Sequence, residues 1–538
     1  MRPQAVDQDE RISVQEAGAA AIPPESTGTL AAVLAKARSK GVRLWVEEGR
    51  LRYAAAKGTL TPEEVEELRA LKSELIAFLG QATDSPATPW QLERRRPRNS
   101  RIPLTYSQSA HYRLYRLHER RGLRQVASAT RIRGFLNIEA LERAVAEMQL
   151  RHEALRTRIV CRDGTPLQEV WEAGPVSLEV EALPLLPASL QEQEVSRRIR
   201  VFIATPIDVA VDPLFSARLL RLNDQEHVLI LAMEHMIADA FSMGVLLRDL
   251  STAYAQLSRG QNVTLPPVQV PFADYALWQT ATAEVWLQEH EPYWKERLTG
   301  IRRLRFPQGN HPTSVTSVGW RTVPLRIDAS LKKRLREWCR SQGTTLPMAV
   351  FTAYIGFVLR WCNASEGIFQ YQSDGRPSQE LENAIGYFSS VLYLRLALRH
   401  TDRWPDLLAR VTEEYCQAYE HADFSYFEAQ DPRPEFTRNT CFNWVPRSTH
   451  PSLFGQDGSE DAMASSATSL EHPMLETLER DNEPMVLVFD TDEEILGGVY
   501  FPANRFSLEI MERFAQGFQN FVGSLLGEAQ LRVKDIPL

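Results

Sequence analysis

A histidine and an aspartate four residues apart are the side chains of this protein best placed for acid–base chemistry. His235 and Asp239 follow an apolar run at 227–233, which is typical of a buried strand. An imidazole with a reference pKa of about 6.5 can accept or orient a proton at neutral pH. A rigid strand end suits that task, although a hydrogen-bonded structural histidine is the alternative. A helix is predicted after the motif, with one apolar face formed by Met243, Leu246, Leu247, Leu250 and Tyr254.

The composition limits the classes of function. The 538 residues suit about three domains, and a hydrophobic fraction of 43% allows a large core. The net charge of −8 argues against nucleic acid as a main partner, because phosphate binding favours a basic surface. No apolar stretch reaches the length of a membrane span, and the acidic N-terminus is unlike a signal peptide. We therefore expect a cytoplasmic protein.

The cysteines predict neither a disulfide framework nor a metal site. Their positions are far apart and show no paired spacing. We expect reduced thiols in the core of a cytosolic protein. The five residues are Cys161, Cys339, Cys362, Cys416 and Cys441.

The N-terminal region predicts a small module after a disordered segment at 1–27. Apolar residues at helical spacing precede Gly41, and a second helix is expected from Thr61, an N-cap residue followed by proline. Between them, two short runs at 42–46 and 50–54 predict a β-hairpin. We place this module at 28–80 and a linker at 81–100.

The hairpin leaves strand edges that can accept a peptide strand from another protein. Its basic residues favour an acidic peptide, although an accessory subdomain packed on its neighbour is the alternative. The helix–hairpin–helix pattern resembles the TubC-like docking domains of nonribosomal peptide synthetase subunits, which capture the C-terminal tail of an upstream subunit. We predict that the peptide contacts Arg43, Trp45, Arg50 and Arg52.

Several motifs follow one another between residues 101 and 538. Arg-His-Glu-Ala-Leu-Arg-Thr stands at 151–157, Glu-His-Met-Ile-Ala-Asp-Ala at 234–240, and Asp-Tyr-Ala-Leu-Trp at 274–278. Ile-Gly-Tyr-Phe stands at 385–388. Further matches begin at His421 and Arg438 and include Asn443. This ordered set resembles the condensation domains of nonribosomal peptide synthetases.

The resemblance implies an α/β fold made of two chloramphenicol acetyltransferase-like lobes related as a pseudo-dimer. We expect the lobes near 101–270 and 271–538, with the active site in a tunnel between them. It also implies acyl transfer from a carrier-protein phosphopantetheine thioester to an amine or alcohol. Because the thioester is already activated, the protein needs only to position two substrates and manage one proton. No cofactor or metal of its own is expected.

The resemblance assigns roles to residues around the motif at 234–240. His235 is the candidate catalytic residue, acting as a base or as a hydrogen-bond anchor. Asp239 is implied to be structural and paired with Arg376, and Asn443 is implied to line the tunnel. Glu234 replaces the family's first histidine and adds a carboxylate that could raise the pKa of His235. Ala240 replaces a glycine and could narrow the tunnel or remove a preferred backbone conformation.

The wider role depends on what surrounds this domain. Because we find no adenylation, carrier or thioesterase motif, we expect a free-standing, monomeric condensation enzyme that releases a chain or passes it between subunits as an ester or amide. It would dock an upstream carrier protein and use a small-molecule acceptor or a second carrier protein. The alternatives are an N-terminal fragment of a larger synthetase, a non-catalytic recruitment domain, an epimerisation domain, or a soluble acetyltransferase with one such lobe per chain.

Overall fold

The structure is a computed structural model that describes residues 43–47, 50–54, 72, 101–117, 126–172, 178–300, 303–309, 320–376, 378–421, 439–446, 464–467, 483–527 and 531–538. The chain divides into two compact units, Met1–Ala82 and Thr83–Leu538.

The first unit contains the predicted hairpin. Strands β1 (Arg43–Glu47) and β2 (Arg50–Ala54) pair antiparallel, with Trp45 opposite Arg52 and Glu47 opposite Arg50. The hairpin prediction is therefore confirmed. The disordered segment, the two flanking helices and the linker were predicted for residues that, apart from Lys72, lie outside the described ranges.

The first lobe of the second unit contains strands and four helices in its described residues. In chain order they are β3 (Ile102–Pro103), α1 (Tyr106–Leu117), β4 (Val126–Arg133), α2 (Ile138–Arg151), β5 (Thr157–Arg162), β6 (Thr165–Val170), β7 (Glu179–Ala182), α3 (Ala188–Ala204), β8 (Phe215–Asn223), β9 (Glu226–Met233) and α4 (Ala240–Ser258).

The second lobe begins with a long helix. Its described elements are α5 (Phe272–Leu298), β10 (Trp320–Ile327), α6 (Ala329–Ser341), α7 (Leu346–Trp361), β11 (Glu366–Ser373), β12 (Ser390–Ala397), α8 (Trp404–Glu420), β13 (Cys441–Val445), β14 (Ala464–Ala467), β15 (Met485–Asp490), β16 (Ile495–Pro502) and α9 (Leu508–Ser524).

Each lobe is built on one mixed sheet. The first has the strand order β14-β4-β9-β8-β7, and the second has the order β10-β16-β15-β13-β11-β12. A small sheet, β3-β6-β5, completes the described part of the first lobe. Strand β14 crosses between lobes, because it follows β13 of the second sheet in sequence but pairs with β4 of the first. The sequence did not predict this crossover.

Strand β9 explains why the sequence forms a rigid platform. It lies between β4 and β8, and every residue from His227 to Met233 is buried. Leu229 and Leu231 face α2 and α4, while Val228 and Ile230 face α3 on the opposite side of the sheet. This alternation follows the two-residue period of a strand covered by helices on both faces.

The second lobe encloses an aromatic core around α7. Every residue from Met348 to Leu359 is buried. Phe357 packs against Phe514, Phe518 and Phe521 of α9, which fixes the helix against its neighbour. No described helix alone is long and apolar enough to span a membrane. Helices α6 and α7 taken together have the length and composition of a span, but a bend of 100° separates them.

The cysteine prediction needs one correction. All five cysteines are free thiols, but Cys161 is exposed rather than in the core. It lies on β5, the outer strand of the small sheet, where the last residues point to solvent. Within the described ranges, no group of three or more histidine, cysteine, aspartate or glutamate side chains could hold a metal ion.

Candidate active site

His235 lies in a short 3₁₀ turn, His235–Ile237, between the end of β9 and the start of α4. Helix α1 holds this turn, because the Gln108 side-chain amide donates a hydrogen bond of 2.7 Å to the carbonyl oxygen of Met236. On the strand side, the Glu234 amide donates to the carbonyl of Leu214 at 2.8 Å. The histidine is therefore fixed at both ends by buried backbone.

The His235 ring is partly buried and has aromatic neighbours from both lobes. Its ring centroid lies 4.3 Å from that of Tyr387 and 5.5 Å from that of His111. The Nδ1 atom is buried and has no hydrogen-bond partner among the described residues. Burial lowers the pKa of His235, and positive charge on His111 lowers it further, against the raising effects of its own carbonyl, Glu234 and Asp239. The ring is consequently neutral near pH 7.

Asp239 and Arg376 form a buried ion pair across the lobes. The Arg376 nitrogens Nη1 and Nη2 donate to Oδ2 and Oδ1 of Asp239 at 2.9 and 3.1 Å. The exposed fractions of the two side chains are 2% and 1%. The guanidinium also lies between the rings of Phe241 and Phe388. This is the pairing that the family resemblance implied.

Asp239 also connects three backbone segments. Oδ1 accepts the Ser242 amide at 2.8 Å and so caps α4, while Oδ2 accepts the amides of Phe388 and Ser389, each at 3.1 Å. Burial alone raises the pKa of Asp239, but the Arg376 charge and these hydrogen bonds outweigh it and lower the pKa. The carboxylate therefore stays ionised and ties the histidine turn to the second lobe.

Gly375 allows Arg376 to reach Asp239. Its φ is +62°, and a Cβ there would lie 1.8 Å from the carbonyl oxygen of Phe388. We expect Gly375→Ala to destabilise the fold by more than the roughly 1 kcal/mol typical of backbone strain alone, measured by denaturant unfolding. Gly164→Ala is the matched control, because Gly164 also has positive φ, +78°, but open space around it. Equal losses in the two variants would show that the close contact has no energetic weight.

The two departures from the family motif, Glu234 and Ala240, have different surroundings. Glu234 accepts a hydrogen bond from Nε2 of His111 at 3.1 Å, and its other oxygen accepts the Met236 amide. Its effect does raise the pKa of His235, but burial and His111 reverse the net direction. Ala240 is exposed, and as the first residue of α4 it has no positive φ. Its effect on the tunnel and on the backbone stays a prediction.

Asn443 and Asp374 lie on neighbouring parts of the second sheet. Asn443 is partly buried on β13, which pairs in parallel with β11, and its role in the site stays a prediction. Asp374 follows β11 and has an accessible side chain, yet desolvation raises its pKa. Sequence reasoning missed Asp374, His111 and Tyr387. The spacing of Gln108, His111 and Tyr115 on one buried face of α1 was the available signal.

The histidine of the motif at 151–157 has a structural environment. His152 is 1% exposed in its side chain and lies 3.2 Å from Oδ2 of Asp249. Arg151 and Arg248 also contact Asp249, which joins α2 to α4. Burial lowers the pKa of His152 despite this acid. Because its ring is enclosed, His152 has no access to substrate, in contrast to His235.

The predicted docking residues all lie on the hairpin. Arg43 and Trp45 are on β1, and Arg50 and Arg52 are on β2. Among the described residues this sheet has two strands, so each strand has one edge without a strand partner. Their binding role stays a prediction.

The two lobes meet at the Asp239–Arg376 pair, next to the turn that carries His235. The family model for the condensation domain matches residues 98–538, and that for the TubC N-terminal docking domain matches 31–81. The chain therefore belongs to the condensation-domain family of nonribosomal peptide synthetases, whose members form amide or ester bonds by acyl transfer.

Known proteins support this placement. A linear gramicidin synthase component from Brevibacillus parabrevis is 29% identical over 460 residues, covering 84% of this chain but only 9% of that protein. The X-domain from teicoplanin biosynthesis has a TM-score of 0.67 at 23% identity, covering 82% of this chain and 98% of that one. A structure on condensation domain-mediated chain release from the enacyloxin polyketide synthase has a TM-score of 0.62 at 20% identity, covering 95% and 99%. These folds confirm the predicted α/β pseudo-dimer.

Proposed function

We propose that this protein transfers an acyl chain from the phosphopantetheine thioester of a carrier protein to an amine or alcohol, with His235 managing the proton. The observation that carries the proposal is a partly buried imidazole with a lowered pKa, in a turn held by the Gln108 side chain on one side and the Leu214 carbonyl on the other. A neutral ring can accept the proton that the nucleophile loses during attack. The rest of the chemistry depends on positioning, because the thioester is already activated.

In the proposed reaction, the His235 imidazole accepts one proton and later gives it up. We take Nε2 as the acceptor, because Nδ1 is buried and so cannot meet the nucleophile. The nucleophile attacks the thioester carbon and its proton passes to Nε2. The carbon–sulfur bond then breaks, and the leaving thiolate takes the proton. The new bond is an amide or an ester, according to the nucleophile.

We further propose a chain-releasing or intersubunit step. The docking domain supports a donor held on a separate protein. A similar structure, on condensation domain-mediated chain release from the enacyloxin polyketide synthase, supports a chain-releasing step. A free-standing arrangement stays a prediction, since the chain corresponds to only 9% of its gramicidin-synthase relative. A non-catalytic recruitment role is the second candidate, because one similar structure is a complex of the X-domain and OxyB.

The direct test uses an acyl-loaded carrier protein mixed with the full chain and a panel of amines and alcohols. Mass spectrometry follows loss of the acyl chain from phosphopantetheine and appearance of the amide or ester. An amide or ester product that forms only when both this protein and the acceptor are present supports the proposed acyl transfer. Acyl-carrier binding without product for any acceptor, including a second aminoacyl carrier, would contradict it and favour recruitment.

The pH dependence of kcat/KM provides a second test. Burial, the largest cause, lowers the pKa of His235 below its usual 6.5. If the neutral ring is required, activity is complete well above the lowered pKa and declines as pH falls through it. We expect a flat rate from pH 7 to 8 for an acceptor that does not titrate there, such as an alcohol. An acid limb centred above pH 7 would contradict this environment.

The docking proposal predicts a change in apparent affinity for the natural carrier partner. We expect the triple variant Arg43→Glu, Arg50→Glu and Arg52→Glu to raise the KM for the docked carrier, because an acidic tail would meet like charges. The control is turnover of a small thioester mimic, which should not change. An unchanged KM for the natural partner, with the hairpin still folded, would contradict an acidic docking peptide.

A further inference from the structure

His111 and Glu234 form a second ionisable pair beside His235. His111 comes from α1 and Glu234 from the residue before the histidine turn, and their side chains meet at 3.1 Å. The exposed fractions of their side chains are 9% and 1%. The His111 ring also lies 5.5 Å from His235 and 6.1 Å from Tyr387. The inference drawn from this pair rests on the proposed role of His235 as the group that manages the proton.

The burial of Glu234 determines what its partner must supply. An ionised carboxylate removed from water is costly unless it is paired and hydrogen-bonded. Glu234 accepts two N–H groups, one from the Met236 backbone and one from the His111 ring. The backbone amide carries no charge, so of the two hydrogen-bond donors only the imidazole can provide a compensating cation.

We propose that His111 is a positioning residue that carries a positive charge anchored by Glu234, and that this charge keeps His235 neutral for catalysis. The pair replaces the usual first histidine of the motif by an acid with its own cation. Its effect on the reaction is electrostatic and acts through His235.

The other groups around His235 do not supply this effect. Asp239, four residues along the same turn, is already neutralised by Arg376 of the second lobe. Asp374, also from the second lobe, interacts with Asp239 and Arg376, and burial raises its pKa. Tyr387 contributes an aromatic ring at 4.3 Å. The pKa of His235 is lowered, which agrees with this assignment, because His111 is the second largest cause of the lowering after burial.

The test replaces the charge while keeping the hydrogen bond. His111→Gln places an amide nitrogen near the position of Nε2, so Glu234 keeps a donor but loses its cation. We expect the midpoint of the fall in kcat/KM at low pH to move up by about one pH unit. At a pH below the midpoints of the wild type and of the variant, activity is then about tenfold lower in the variant. The double variant His111→Gln, Glu234→Gln also lacks the anion. We expect its midpoint to lie between those of His111→Gln and the wild type.

A measurement without substrate separates this inference from the proposed function. The pKa of the His235 ring is followed by NMR in the full-length protein with labelled histidine, assigned with His235→Ala. A rise in His111→Gln, partly reversed in the double variant, supports the inference even if His235 proves unnecessary for turnover. An unchanged His235 pKa in a folded His111→Gln variant would overturn it, because a space-filling or hydrogen-bonding role predicts no shift.

Discussion

Replacing His235 with alanine is expected to lower turnover of a carrier-bound acyl chain by about 10²–10⁴-fold, the range for removing a general acid–base group. The reason is that the described structure places one accessible, neutral imidazole at the lobe junction. Binding of the acyl carrier should change little, because positioning does not depend on the ring. Single-turnover assays with the loaded carrier measure the effect on chemistry directly.

His227→Ala is the matched control for this variant. His227 lies on β9, the strand that leads to the His235 turn, and is 2% exposed, but it stands at the opposite end of that strand. Its loss should alter stability without lowering the rate of acyl transfer in the folded protein. If His235→Ala transfers the chain as fast as His227→Ala and the wild type, His235 is not the group that manages the proton.

Breaking the Asp239–Arg376 pair is expected to have the largest effect on stability. Asp239→Ala should reduce the free energy of unfolding by about 3–5 kcal/mol, because the buried guanidinium loses its counter-charge. It also removes the acceptor for the Phe388, Ser389 and Ser242 amides. Activity should fall together with stability, since these hydrogen bonds position the histidine turn. Chemical denaturation and activity assays on the same preparation measure both.

Two controls make this prediction specific. Removing Glu169, a partly exposed residue that contacts Arg162 at 2.6 Å, should cost far less, because solvent screens this surface pair. Replacing both buried partners, as in Asp239→Leu, Arg376→Met, should be less damaging than Asp239→Ala, because no unpaired charge remains. Full activity with a native unfolding curve for Asp239→Ala would refute the structural role.

The same pair has a defined pH dependence. The pKa of Asp239 is lowered in the folded state, so its stabilising contribution is complete above the unfolded value of about 3.9. That contribution disappears as pH falls through the lower folded value. Stability should therefore depend on Asp239 at neutral pH and lose that dependence only in strong acid.

The local parts of the site could be predicted from sequence because their signals are local. The alternating burial of β9 and the apolar face of α4 follow from residue spacing, and Asp239 stands at an N-cap. The pairing with Arg376, 137 positions away, came only from the family resemblance. The contact of His111 with Glu234 spans 123 positions and has no local pattern, so sequence alone could not place it.

The net direction of the His235 pKa was also outside the reach of sequence. A neighbouring carboxylate suggested a raised value, which is correct for that single influence. Burial and the position of His111 depend on how α1 packs against the turn, and these decide the sign.

Strand β14 limits how the two halves of the domain can move. Its four residues pair with Thr130–Arg133 of β4 through main-chain hydrogen bonds, so β14 can leave the first sheet only by breaking this ladder. A swivel about that ladder would leave it intact. Admission of two bulky, tethered substrates is therefore expected to proceed by small rotations around this ladder, which lies at the end of β4 away from the His235 turn.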